Sequence, residues 1–197
     1  MKIVGVRRVI GKGPLAPSAE WEKIRESVIA ALSAVDWPLG SGKFTVNPTP
    51  HGNGVQPIQE RAAGMLDGKG WEAQRRWPIS DIRQPGRMDA AYISSRGLVA
   101  FEWETGNIAS SHRSINKICL GFTIGAIAGG ILAISSRKLY PYLTDRVGNF
   151  GEIEPYIPLW SATPCQEAVF EIIVVEHDAT NDDVPLIPKK MTGRAVR

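Results

Sequence analysis

The clearest hydrophobic periodicity begins at Ser18. Behind that capping serine, Trp21, Ile24, Val28 and Leu32 recur at helical spacing, and Glu20 and Glu22 favour the first turn, which predicts a helix that ends before Trp37-Pro38. Glycines, prolines and Asn53 between Gly40 and Gly54 predict a loop, interrupted by a short strand over Phe44, Thr45 and Val46. Residues 56–67 show weaker helical periodicity, and 68–87 are basic and turn-rich, with Trp71, Trp77, Arg75, Arg76, Arg83 and Arg87. Residues 88–94 and 98–104 read as two strands joined by a tight Ser-Ser-Arg-Gly connection. An amphipathic helix starts at Asn107 or Ser110, with Ile108, Ile115, Ile118, Cys119 and Phe122 inward and His112, Arg113, Asn116 and Lys117 elsewhere. A strand at 131–134, a second helix from about Ser136 and an apolar strand at 169–175 complete the pattern. Strand, helix and strand in this order make a parallel crossover. The prediction is an α/β fold: a single domain, 1–197, whose central mixed sheet carries helices on both faces.

One stretch competes with that picture. Residues 118–134, ICLGFTIGAIAGGILAI, hold no charge, and Gly121, Gly125 and Gly129 are spaced as in packed membrane helices. The run sits at the short end of a membrane span, about 17–25 residues, and a Gly129-Gly130 pair breaks helices more readily than it continues them. The preferred parse is a helix end, a glycine turn and a buried strand. Composition supports it: 43% hydrophobic and 22% charged residues in 197 suit one compact domain and exclude whole-chain disorder. A net charge of +3 permits a polyanionic partner without requiring one. Two cysteines make no disulfide framework, and no charged-then-apolar leader opens the chain, so a reduced, cytoplasmic protein without a membrane is expected.

The strand pair concentrates acids. Around a two-residue loop Tyr92 faces Val99 and Asp89 lies opposite Glu102, with Cβ atoms about 4.5–5.5 Å apart. Glu102 and Glu104 leave the same face. Like charges directly opposed destabilise a hairpin, and flanking Phe101 and Trp103 suggest partial burial, so something positive belongs among them. A hard divalent cation such as Mg²⁺ suits such oxygen ligands. The plain alternative is a solvated face whose acids pair with nearby arginines.

The segment LVAFEWETGNIASSHRSINKICLGF (98–122) resembles the heart of the BamHI restriction endonuclease family, as do LYPYLTDRVGNFGEIEPY (139–156) and DVPLIPK (183–189). KFTVNPT (43–49) and NGVQPI (53–58) add a looser likeness. The resemblance implies a type II enzyme of the PD-(D/E)XK superfamily that hydrolyses DNA phosphodiesters. It implies Asp89 and Glu102 as metal ligands, with the Phe101 or Trp103 carbonyl as a further ligand. Glu104 stands where most such nucleases carry a lysine, able to accept a proton from the attacking water or to help hold a second metal. The family's upstream glutamate aligns, across a gap, with Glu72. Mg²⁺ is the implied cofactor, with Mn²⁺ as a substitute and Ca²⁺ supporting binding without cleavage.

The same resemblance assigns base contacts to Asn107, Arg113, Asp145 and Arg146, with Ser110 or Ser111 replacing a serine that aligns with Ala109. It implies the palindrome GGATCC, cut after the first G to leave four-base 5′ overhangs. The basic tail 189–197, with Lys189, Lys190, Gly193 and Arg194, would enter the minor groove or follow phosphates. A palindromic site implies a homodimer, here through the 108–122 helix, and a cognate DNA methyltransferase is expected alongside. Two other classes stay open: a catalytically idle, sequence-specific DNA-binding relative, and a membrane protein built on 118–134.

Overall fold

Alternation along the central strands decides the architecture. Val99, Phe101 and Trp103 point to one side of their strand, Ala100, Glu102 and Glu104 to the other, and each side must be covered. The chain, here in a computed structural model describing residues 1–67, 69–80, 82–144 and 147–189, covers both. Its elements are β1 (Lys2–Lys12), α1 (Ala19–Ser33), β2 (Thr45–Val46), α2 (Gln56–Leu66), β3 (Trp71–Ala73), β4 (Ala90–Ser94) and β5 (Gly97–Trp103), then α3 (Ile108–Thr123), β6 (Gly129–Ser135), α4 (Phe150–Ile153), α5 (Ile157–Ser161), β7 (Ala168–Glu176) and β8 (Ala179–Thr180). Six strands form one mixed sheet in the order β1-β7-β6-β5-β4-β3, while β2 pairs with β8 apart from it. β5, β6 and β7 are parallel and the outer pairs antiparallel.

Trp21, Ile24, Val28 and Leu32 of α1 join Ile58, Ala62 and Leu66 of α2 in the core on one face, against Phe101, Ile131, Val169 and Ile173. Ile115, Ile118 and Phe122 of α3, with Ile153, Ile157 and Trp160, cover the other face against Ala100, Leu132, Phe170 and Ile172. Ser18 caps α1 by accepting the Trp21 N–H at 3.1 Å. The fold is the expected α/β sandwich with helices on both faces.

The hairpin register holds: Tyr92 pairs with Val99 and Ser94 with Gly97, whose φ of 126° closes the turn. α3 ends at Thr123, Gly125 turns at φ 67°, and β6 follows, so the apolar run 118–134 is split between helix and buried strand. Among the described residues no helix is long and apolar enough to cross a membrane. The helix expected from Ser136 is corrected. Only a 3-10 turn at Tyr140–Tyr142 forms there, because Pro141 offers no N–H and its ring would clash with a preceding carbonyl in a longer helix. The Ser136 hydroxyl caps the segment instead, accepting from Lys138 and Leu139 N–H. The structure also adds β1 at the sheet edge and the short helices α4 and α5.

Candidate active site

Where β4 begins and β5 ends, the ladder brings the acids together. Ala90 pairs with Phe101, and one step on Asp89 lies beside Glu102. Asp89 Oδ2 accepts the Trp103 N–H at 2.7 Å, tying the carboxylate to the neighbouring strand. Glu102 projects towards the α3 side, and Glu104 follows it just beyond β5, anchored by its N–H to the Ala133 carbonyl at 2.9 Å. All three acids are buried, with 6–8% exposure.

Their partners come from far along the chain. Gln59 on α2 donates to Asp89 Oδ1 at 2.7 Å. The Trp77 indole donates to Glu102 Oε1 at 3.0 Å, and Lys117 Nζ on α3 lies 3.5 Å from the same oxygen. Glu104 Oε1 accepts the Gly106 N–H at 2.8 Å, and Ser114 hydrogen-bonds the same carboxylate. Gly106 is required by close approach: a Cβ there would stand 2.7 Å from Ser110 Cβ and 2.9 Å from Glu104 Oε1.

Burial is the main cause of the electrostatics. It raises the Asp89 pKa, against the pull of the Trp103 N–H, Gln59 and Lys117. Glu102 is pushed up to about 7 by burial and the Asp89 charge, with Glu104 adding to the rise and Lys117 and Trp77 opposing it. Glu104 is raised by burial too, while Gly106, Ser114 and Arg113 counteract. Among the described residues Lys117 makes the one direct ion pair with these acids, while exposed Arg113 acts on Glu104 from farther off.

That donor set has the chemistry a hard divalent cation takes: carboxylate oxygens in a partly dehydrated, under-neutralised place. Asp89 and Glu102 are the side chains that could hold it. Among the described residues no three His, Cys, Asp or Glu side chains stand ready grouped as a metal-binding set. The acids are gathered, with several oxygens still held by Gln59, Trp77 and backbone N–H groups, so the fit is one of donor type and burial.

The other predicted positions divide. Asn107 caps α3, its Oδ1 accepting the Ser110 N–H at 3.0 Å, and its backbone bridges to Val147. Ser110 is half-buried and Arg113 exposed. Ser111 is fully buried, its hydroxyl held near the Asn107 carbonyl and against Gly148, so it presents nothing to a groove. Glu72 is not brought to the acids: it sits on β3 opposite Ala91, exposed and paired with Arg75 at 2.8 Å, while Gln74 donates its N–H to the Asp89 carbonyl. Lys189 lines a groove of ≈ 350 Å³ with Gln59 and Thr105, on the same side as the acids. Asp145, Arg146, Lys190, Gly193 and Arg194 lie outside the described residues. Gln59, Trp77 and Ser114 are not found by sequence reasoning, which gives Lys117 to the partner subunit or DNA, whereas Lys117 lies beside Glu102.

A family model described as restriction endonuclease BamHI matches residues 1–194. The type II restriction enzyme OkrAI of Oceanobacter kriegii is 44% identical over 167 residues, which is 85% of this chain and 86% of that protein. The type II restriction enzyme BamHI of Bacillus amyloliquefaciens is 35% identical over 199 residues, 97% of this chain and 89% of that protein. In fold, the crystal structure of restriction endonuclease BglII complexed with a DNA 16-mer superposes with a TM-score of 0.61 at 12% identity, over 90% of this chain and 79% of that one. Free BglII superposes at 0.52 with 9% identity, over 90% and 81%. With the family match spanning nearly its whole length, the chain belongs to the BamHI family of type II restriction endonucleases.

Proposed function

We propose that this enzyme hydrolyses one phosphodiester in each strand of the duplex palindrome GGATCC, after the first G, with Mg²⁺ as cofactor. The observation that carries the reading is the convergence of Asp89, Glu102 and Glu104 at the end of β5, next to the N-terminus of α3. Asp89 and Glu102, with the Phe101 or Trp103 carbonyl, would hold the cation. When bound, it supplies Lewis-acid stabilisation of charge on the phosphate and on the leaving oxygen. Glu104 would take a proton from the attacking water, since burial makes its carboxylate a stronger base than an exposed one. The water oxygen bonds to phosphorus as the opposite P–O bond breaks, in line.

Sequence reading falls to α3 and the segments beside it. Asn107 keeps its amide Nδ2 for an acceptor while Oδ1 caps the helix. Ser110 and exposed Arg113 follow it on α3, and Asp145 and Arg146 supply adjacent acceptor and donor groups suited to G·C pairs. The tail from Lys189, with Lys190, Gly193 and Arg194, adds positive charge for the backbone or minor groove. Two copies would meet through the α3 region, where Tyr156 and Leu159 are exposed near the His112–Tyr156–Trp160 cluster. A cognate methyltransferase protecting the same palindrome completes the reading.

The test is incubation of plasmid DNA with the purified protein and Mg²⁺, an EDTA control, and sequencing of the ends. GGATCC cuts with four-base 5′ overhangs are expected. Cuts at a related palindrome would move the specificity to Ala109 and its neighbours. Specific binding without any cutting would make the protein an idle relative.

A further inference from the structure

The cation beside the acids comes from a helix, not from the catalytic strand. Lys117 Nζ lies 3.5 Å from Glu102 Oε1 and 5.0 Å above the Trp77 ring, with 15% of its side chain exposed. The indole beneath it donates to the same Glu102 oxygen at 3.0 Å. Both contacts fall on Oε1. Trp77 is itself 2% exposed, so the aromatic face that positions the ammonium is fixed. Arg113, which also faces Glu104, is open to water and its charge is correspondingly screened.

We propose that Lys117 is the built-in counter-charge of the acid cluster, holding the carboxylates together in the metal-free enzyme and weakening divalent-cation binding there, so that tight binding needs the added negative charge of a DNA phosphate. The inference rests on the nuclease reading above. Its physical core is charge balance. Three buried carboxylates repel one another, and one ammonium beside Glu102 Oε1 offsets part of that repulsion. The same ammonium repels a second cation that binds these carboxylates.

The test is calorimetric titration of Ca²⁺ into the full-length, DNA-free protein, alongside Lys117→Met and Lys117→Arg. Lys117→Met is expected to bind Ca²⁺ at least tenfold more tightly than wild type, and Lys117→Arg, which keeps the charge, to stay near wild type. Thermal unfolding in EDTA should show Lys117→Met destabilised, with Ca²⁺ restoring it by a larger shift than wild type gains. If that variant does not fold without metal, Lys117→Gln carries the same comparison. Unchanged or weaker Ca²⁺ binding in the neutral variants, with a wild type that cuts DNA, overturns the role of Lys117 alone. A wild type that neither binds Ca²⁺ with DNA nor cuts in Mg²⁺ overturns the nuclease reading and this inference with it.

Discussion

Two buried glutamates in one sheet live in opposite surroundings. Glu171 on β7 is 1% exposed and meets more positive charge than its own. Arg8 of β1 donates its Nε–H to Oε1 at 2.9 Å and brings Nη2 to 2.9 Å of the same oxygen, and Arg25 of α1 stands at 3.6 Å. Glu102 on β5, two strands away, is 8% exposed, has Asp89 and Glu104 as neighbours, and meets one lysine at 3.5 Å. Removing a carboxylate from water costs several kcal/mol unless charges and hydrogen bonds replace the hydration. At Glu171 the charge is compensated from two elements, β1 and α1, although Oε2 is left without a hydrogen-bond partner, which suits a clamp of β1 and α1 onto the sheet. At Glu102 it is incomplete, and the deficit is what a divalent cation would supply. Burial alone therefore does not mark a functional acid; burial with too little counter-charge does.

Replacing Glu104 breaks the contrast most severely. Glu104→Ala is expected to slow single-turnover cleavage by about 10²–10⁴-fold, the usual contribution of a positioned general base. Gel-shift binding to GGATCC duplex in Ca²⁺ should stay equal or tighten, since one negative charge facing phosphate is gone. Cleavage at the wild-type rate would remove Glu104 from the chemistry.

Gly106→Ala tests whether that acid must be held. The new Cβ would stand 2.9 Å from Glu104 Oε1 and 2.7 Å from Ser110, so the carboxylate or the start of α3 has to shift. A displacement of this size is expected to cost roughly 10- to 100-fold in cleavage rate. Stability should change little, because the clash lies at the rim of the sheet. A variant that cuts normally would show that Glu104 tolerates movement.

Much of this site was readable from the chain, for local reasons. A two-residue hairpin loop leaves one register, so Asp89 opposite Glu102 followed from the turn. Asn107 with its apolar repeat announced α3. What stayed hidden depends on tertiary approach: Gln59 reaches Asp89 across 30 positions, and Trp77 reaches Glu102 across 25. No periodicity encodes such contacts. β1 was hard to see because Gly5, Arg7 and Arg8 interrupt its β-branched residues; the sheet tolerates them at an edge with two irregularities in register. The helix expected at Ser136 failed on Pro141, and β3 carries Glu72 on the exposed surface, tied to Arg75.

The well-compensated side of the comparison can be broken with Arg8→Ala. Arg25 alone would then face Glu171 at 3.6 Å. A fully buried pair loses about 3–5 kcal/mol when one partner is removed. Because Arg8 is 41% exposed, about 2 kcal/mol is expected here, read as a lower urea midpoint with unchanged slope. Cleavage per folded molecule should remain at the wild-type level. A loss of cleavage without loss of stability would mean that the two acid regions are coupled through the sheet.

The smallest effect concerns two aspartates that each accept a backbone N–H. Asp89 takes that of Trp103 at 2.7 Å and Asp178 that of Phe44 at 2.6 Å, yet burial raises the first pKa while the second is lowered. Burial is the largest single influence on Asp178 and pushes it upward, but the Phe44 N–H, the Met1 amino group at 3.1 Å and Lys2 together outweigh it. The folded protein thus holds the Asp178 proton less tightly than the unfolded chain does. Ionised Asp178 stabilises the fold above the ordinary aspartate pKa of 3.8, and the contribution fades as pH falls through the lowered folded value. Asp178→Asn is expected to lose about 1 kcal/mol or less at pH 7, since the group is partly open to solvent. Urea unfolding of both proteins from pH 7 down to pH 3 should show the difference shrinking at the acid end. A difference that stays constant would mean that Asp178 holds Phe44 as a hydrogen-bond acceptor alone, without help from its charge.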